Sequence, residues 1–127
     1  MLRSFTKQER LCSEKAIETL MHKGKRFSTD FFRITYRSHS SQDNNCGTNG
    51  VVISVPKKIF KHAVDRNLLK RRIRESYRLN KELLKIESGY VDLMVVYNCG
   101  IIMEYAAIEE EIRKILLHIT ASQAKKQ

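Results

Sequence analysis

The chain has 127 residues, with 24 Lys and Arg against 14 Asp and Glu, a formal net charge of +10. This length supports one domain over 1–127 with its own core, and no run of 18 apolar residues exists to span a membrane. The three cysteines, Cys12, Cys46 and Cys99, are far apart and form no C-x-x-C pair, which argues against a disulfide framework or a zinc module and for a reduced, cytoplasmic protein.

Met1–Lys7 carries charge with no apolar stretch behind it, so it does not read as a secretory signal. Ser13 is a candidate N-cap for a helix over 13–23, whose Ala16, Ile17, Leu20 and Met21 share one face. Gly24 stops that helix. Residues 27–37 predict one strand, with Phe32, Ile34 and Tyr36 facing one way and Arg33, Thr35 and Arg37 the other. Residues 38–50, polar with two glycines, predict an exposed loop. Val51–Val55 is a β-branched strand ended by Pro56. A helix follows over 63–84, and Gly89 marks the break after it. Tyr90–Tyr97 is the most apolar strand and is expected at the centre of the sheet. A last helix spans 104–119, with Ala107, Ile108, Ile112, Ile115, Leu116 and Ile119 as its inner stripe, and residues 122–127 form a tail. The order α-β-β-α-β-α predicts an α+β fold, a two-layer sandwich of helices on a mainly antiparallel sheet.

The charge is not spread evenly. Residues 56–85 hold 11 Lys and Arg against 3 Asp and Glu, most of the chain's excess in under a quarter of its length. With Leu69 at zero and 100° per residue, Leu69, Ile73, Tyr77 and Leu84 fall on one arc, extended by Leu68, Leu79 and Leu83. Asn67, Lys70, Arg71, Arg74, Arg78, Lys81 and Lys85 occupy the opposite arc, with Arg66 at its edge. Arg72 falls near the apolar arc, where its stem can run along the core edge. Like charges four residues apart repel, so a helix this poor in acids points to counter-charge from outside, namely phosphates. Lys57, Lys58 and Lys61 add cations at the helix start, where backbone N–H groups also favour anions. Gly is absent from 51–88, so no Walker loop exists and nucleoside triphosphate binding is disfavoured.

The pattern Ala63-Val64-x-Arg66-Asn67-x-x-Lys70-Arg71-x-x-Arg74-Glu75, after a strand ending Ser54-Val55-x-Lys57-Lys58, resembles the Arg-Asn-Arg motif of the bacterial ribonuclease P protein component. Length and element order fit that family across nearly the whole chain. The resemblance implies a protein subunit of a ribonucleoprotein whose large RNA, with Mg²⁺ bound mainly by that RNA, removes the 5′ leader from precursor tRNA. It implies that Lys57, Lys58, Lys61, Arg66, Asn67, Lys70, Arg71 and Arg74 meet the catalytic RNA, and that the helix lies in a left-handed βαβ crossover. It also implies a cleft for the single-stranded leader between the first helix and the sheet. Ile17 and Met21 stand there where relatives carry aromatics, and Phe32, Ile34 and Tyr36, with Arg33 or Arg37, are the candidates from the adjoining strand. The alternative for Phe32, Ile34 and Tyr36 is an ordinary place in the core.

The family implies no catalytic residue in the protein, no metal site of its own, no membrane and no required protein partner. Two other functions compete: a ribosome-binding or RNA-chaperone domain, which would not need the Arg66-Asn67 pair, and a stand-alone nuclease, for which the widely spaced Asp30, Asp43, Asp65 and Asp92 form no motif.

Overall fold

A computed structural model describes residues 14–39, 50–84 and 90–124. Ser13, most of the expected 38–50 loop, Lys85, Gly89 and the end of the tail lie outside these residues. The elements are α1 (Glu14–Lys23), β1 (Lys25–Ser28), β2 (Phe32–His39), β3 (Gly50–Ser54), α2 (Ala63–Asn80), β4 (Tyr90–Tyr97) and α3 (Tyr105–Ala124), with one 3-10 turn over Lys81–Leu83. The four strands form one sheet in the order β1-β2-β4-β3. β1–β2 and β2–β4 pair antiparallel, while β3–β4 is parallel with α2 as its crossover. The α+β architecture therefore agrees with expectation, and β4 is central.

One expected strand is two. Residues 25–39 form a hairpin closed by the amide of Thr29, which donates to the Phe32 carbonyl at 2.9 Å. Its tip carries no Gly or Pro. Asp30 and Phe31 interrupt an otherwise continuous run of strand-forming residues, and Lys25 pairs with Tyr36 across it.

Alternation divides the sheet into two faces. Phe32, Ile34 and Tyr36 of β2, Val51 of β3 and Val91, Leu93, Val95 and Tyr97 of β4 are buried together with the inner sides of α2 (Leu69, Ile73, Tyr77) and α3 (Ile108, Ile112, Ile115, Leu116, Ile119). This is the main core. Aromatic rings bind it edge to face, with Phe32 5.5 Å from Tyr97. Tyr36 shares a 2.8 Å hydrogen bond with Ser122 Oγ, fastening the end of α3.

The other face carries Arg33, Thr35 and Arg37 of β2 and, in register with them, Val96, Met94 and Asp92 of β4. Among the described residues, α1 is the helix that packs here, through buried Leu20. The fit is tight where the helix ends. The Gly24 amide donates to the Leu20 carbonyl at 2.8 Å. A Cβ at Gly24 would run into that same carbonyl and lie 2.6 Å from Thr35 Cγ2. Glycine is needed here for close approach of helix end to strand. No helix among the described residues is long and apolar enough to cross a membrane.

Candidate nucleic-acid interface

The basic segment is built in two parts. Pro56 turns the chain after β3, and its carbonyl accepts the amides of Ile59 (3.1 Å) and Phe60 (3.3 Å). The turn leaves Lys57 and Lys58 exposed while Phe60 is buried, its ring 5.9 Å from that of Tyr97. Phe60 thus anchors the lysine turn to the core. Arg66 completes the anchor, with Nη1 donating to the carbonyls of Phe60 (2.8 Å) and Lys61 (2.9 Å). His62 holds the N-cap backbone position of α2 without a side-chain cap, and Asp65 lies in the first turn, where the helix dipole favours an anion.

The cations on α2 have different fates. Asn67, Arg71 and Arg74 are exposed, and Lys70 is half-buried beside them. They run along about 10 Å of helix at 1.5 Å per residue. Arg78, on the same arc of the wheel, is occupied. Its Nε donates to Glu75 Oε2 at 3.1 Å and its Nη2 pairs with Oε1. Arg78's hydrogen bond holds the Glu75 carboxyl below the usual carboxylate range. Further along, Asn80 Nδ2 and Tyr105 Oη both donate to Glu109 Oε2 at 3.2 Å. Burial first, then the Glu109 charge, pushes Tyr105 up to about 12. The open cationic ridge therefore runs from Lys57 to Arg74, and beyond it Arg78, Asn80 and Tyr105 are bonded to protein groups. Arg72 leaves the ridge as the wheel requires, donating from Nη1 to the Met103 carbonyl at 2.5 Å.

Of the eight residues expected to meet the catalytic RNA, Asn67, Lys70, Arg71 and Arg74 share one arc of α2, Lys57, Lys58 and Lys61 are exposed in the turn before it, and Arg66 is committed to holding that turn. The leader-cleft set is divided by the sheet. Phe32 and Ile34 are 1% exposed and Tyr36 3%, all against α2 and α3. They cannot line a cleft under α1, which corrects their assignment there. Alternation puts them on the face that the two larger helices cover. Arg33 is exposed on the opposite, α1 side, with half-buried Ile17 and exposed Met21 on the helix itself. Arg37, the other arginine expected there, is half-buried on the same side, and sequence reasoning missed its neighbours Thr35, Met94 and Val96, also half-buried. The alternation groups Thr35 and Arg37 with Arg33. What it lacks is which face each helix takes. Beside α1 a surface hollow of about 340 Å³ is lined by Ile17, Glu18, Met21, His22 and Arg26, whose guanidinium donates to the Met21 carbonyl at 2.5 Å.

Known proteins resemble this chain closely. A family profile described as Ribonuclease P matches residues 5–120. The ribonuclease P protein component of Porphyromonas gingivalis is 31% identical over 122 residues, covering 93% of this chain and 88% of the relative. That of Nitrosococcus oceani is 34% identical over 97 residues, covering 76% and 74%. Among solved structures, the RNase P protein of Staphylococcus aureus aligns with a TM-score of 0.70 at 22% identity over 85% of this chain and 92% of that one. The Thermotoga maritima protein aligns with a TM-score of 0.70 at 23% identity over 87% and 97%. At these identities the structural matches establish the fold.

Proposed function

This chain belongs to the ribonuclease P protein family, and from that premise we propose that the ridge from Lys57 to Arg74 docks on a catalytic RNA. Processing of the tRNA 5′ leader is its role, and RNA is its partner. The observation that carries the docking proposal is the selective exposure along α2. Lys57, Lys58, Lys61, Asn67, Arg71 and Arg74 stay open while Arg78 and Arg72 are taken up by protein groups. Arg forks and Lys ammonium groups in such a row match successive phosphates, and Asn67 can reach a sugar or base edge.

Hydrolysis is assigned to the RNA. Among the described residues no three His, Cys, Asp or Glu side chains gather as a metal site. Mg²⁺ belongs in this reading to RNA phosphates, which suit its octahedral oxygen coordination.

The precursor's leader is assigned to the face under α1. Arg33 and Arg37 would take its phosphates, and Ile17, Met21, Met94 and Val96 offer apolar surface to its bases. No aromatic ring stands among these residues, so contact with bases relies on dispersion and is tolerant of sequence.

The test is reconstitution. Precursor tRNA and Mg²⁺ are mixed with the protein at near-physiological salt, with and without a bacterial ribonuclease P RNA. Leader removal that needs the RNA and is stimulated by the protein is expected. Cleavage by protein alone would overturn the assignment of hydrolysis, and an RNA reaction indifferent to the protein would favour a general RNA-chaperone role.

A further inference from the structure

Five large apolar side chains stand exposed among the described residues, and three of them, Val64, Ile101 and Ile102, belong to segments that follow the parallel strands β3 and β4 and so leave the same end of the sheet. Singly exposed apolar residues are ordinary, but a cluster asks for a partner. Val64 is 77% exposed, Ile101 68% and Ile102 37%. Val64, half-buried Leu68 and Arg72 follow one another four residues apart and so share one row of α2. The hydrogen bond from Arg72 to the Met103 carbonyl sets that row beside the segment joining β4 to α3.

That segment is braced. Tyr97 Oη donates to the Ile101 carbonyl at 2.5 Å and accepts the Met103 amide at 3.1 Å. The Tyr97 ring lies in turn between Phe32 and Phe60, the residue that anchors the lysine turn. Burial pushes the Tyr97 hydroxyl up to about 12, so it remains a donor at any physiological pH. Ahead of the two isoleucines, a Cβ on Gly100 would meet nothing within 4 Å, so the tip stands in open space.

We propose that Ile101 and Ile102, with Val64, form a preorganised apolar wedge that seats against an unpaired base or ribose of the same RNA that the cationic ridge binds. The inference rests on the docking reading above. Charge complementarity selects the occupant: Lys61 precedes Val64 by less than a turn, and Arg71 lies two turns above it on nearly the same bearing, both exposed. Glu104, exposed at the far end of the segment, is the one acid beside the isoleucines in sequence. An RNA drawn onto the ridge by its phosphates therefore brings a base or sugar over the wedge. The braced backbone has little ordering left to lose on contact.

The test compares the full chain with the double variant Ile101→Ser/Ile102→Ser for binding to an in vitro transcribed bacterial ribonuclease P RNA over a salt series. The wedge predicts roughly tenfold weaker binding at every salt concentration with an unchanged salt slope, since every cation that meets a phosphate is still in place. Full affinity in the double variant, while Arg74→Ala binds more weakly, would overturn the wedge and leave the ridge standing. If neither variant weakens binding, the docking reading itself fails and the wedge with it. Self-association of the wild-type protein that the double variant abolishes would also overturn the proposal, making the patch an interface between copies. A photoreactive residue in place of Ile101 gives a readout that does not depend on affinity: crosslinks to RNA support the wedge, and their absence in a saturated complex contradicts it.

Discussion

Replacing Lys57, Lys58, Arg71 and Arg74 together with Ala removes four exposed cations from the ridge without emptying any core position. Each phosphate that the protein no longer neutralises should lower the slope of log affinity against log salt by about 0.7–0.9, so four should lower it by about 3. Between 50 and 200 mM salt, a fourfold change, that slope corresponds to about a 60-fold difference in how strongly salt weakens binding. Stability should barely move, since surface substitutions of this kind usually stay within about 0.5 kcal/mol. Filter binding of ribonuclease P RNA across the salt series, with thermal melting of each protein, measures both quantities. Arg78→Ala is the internal control: its guanidinium is held by Glu75, so the slope should stay as in the wild type. An unchanged slope in the quadruple variant, or an Arg78→Ala effect equal to that of Arg74→Ala, would refute the division between open and occupied cations.

Arg66→Ala should differ from the ridge variants by reducing stability as well as affinity, by about 1–3 kcal/mol in chemical denaturation, because the Phe60 and Lys61 carbonyls are left without their donor. Gly24→Ala should destabilise by about 1–3 kcal/mol through overpacking against the Leu20 carbonyl and Thr35, measured the same way. Tyr36→Phe should cost about 1 kcal/mol through removal of the Ser122 bond yet leave the preference for precursor over mature tRNA intact, whereas Arg33→Ala should reduce that preference with little change in stability. Tyr97 has a higher pKa folded, about 12, than its ordinary 10. Its contribution to stability is complete below pH 10 and is lost as pH rises through 12, and Tyr97→Phe should flatten that part of the stability profile.

What the sequence disclosed was what is local. The two-faced α2 follows from 100° steps among Leu69, Ile73 and Tyr77 on one side and Asn67, Arg71 and Arg74 on the other, and even the inward lean of Arg72 was legible there. The Arg66-Asn67 pattern identified the family because motif residues sit close together in the chain. Long-range choices were hidden. Nothing in the alternation of β2 says that α1 takes the Thr35 face and that α2 and α3 take the Tyr36 face, since each helix offers an apolar stripe that fits either. The hairpin tip at Asp30-Phe31 escaped notice because no Gly or Pro marks it. The attachment of Arg66 to the Phe60 carbonyl depends on where a buried aromatic ring pins the preceding turn.

The position of β4 between β2 and β3 governs the order of events as the chain is made. Only the β1–β2 hairpin can pair before residues 90–97 leave the ribosome, and β3 has no described neighbour but β4. Until then Phe32, Ile34, Val51 and the apolar side of α2 lack the β4 and α3 side chains that complete their core. A nascent chain stalled short of Tyr90 would display its cations beside uncovered apolar surface, a combination prone to chaperone capture or aggregation. Synthesis of that late strand, with α3 directly behind it, turns an adhesive polybasic chain into a folded RNA-binding protein.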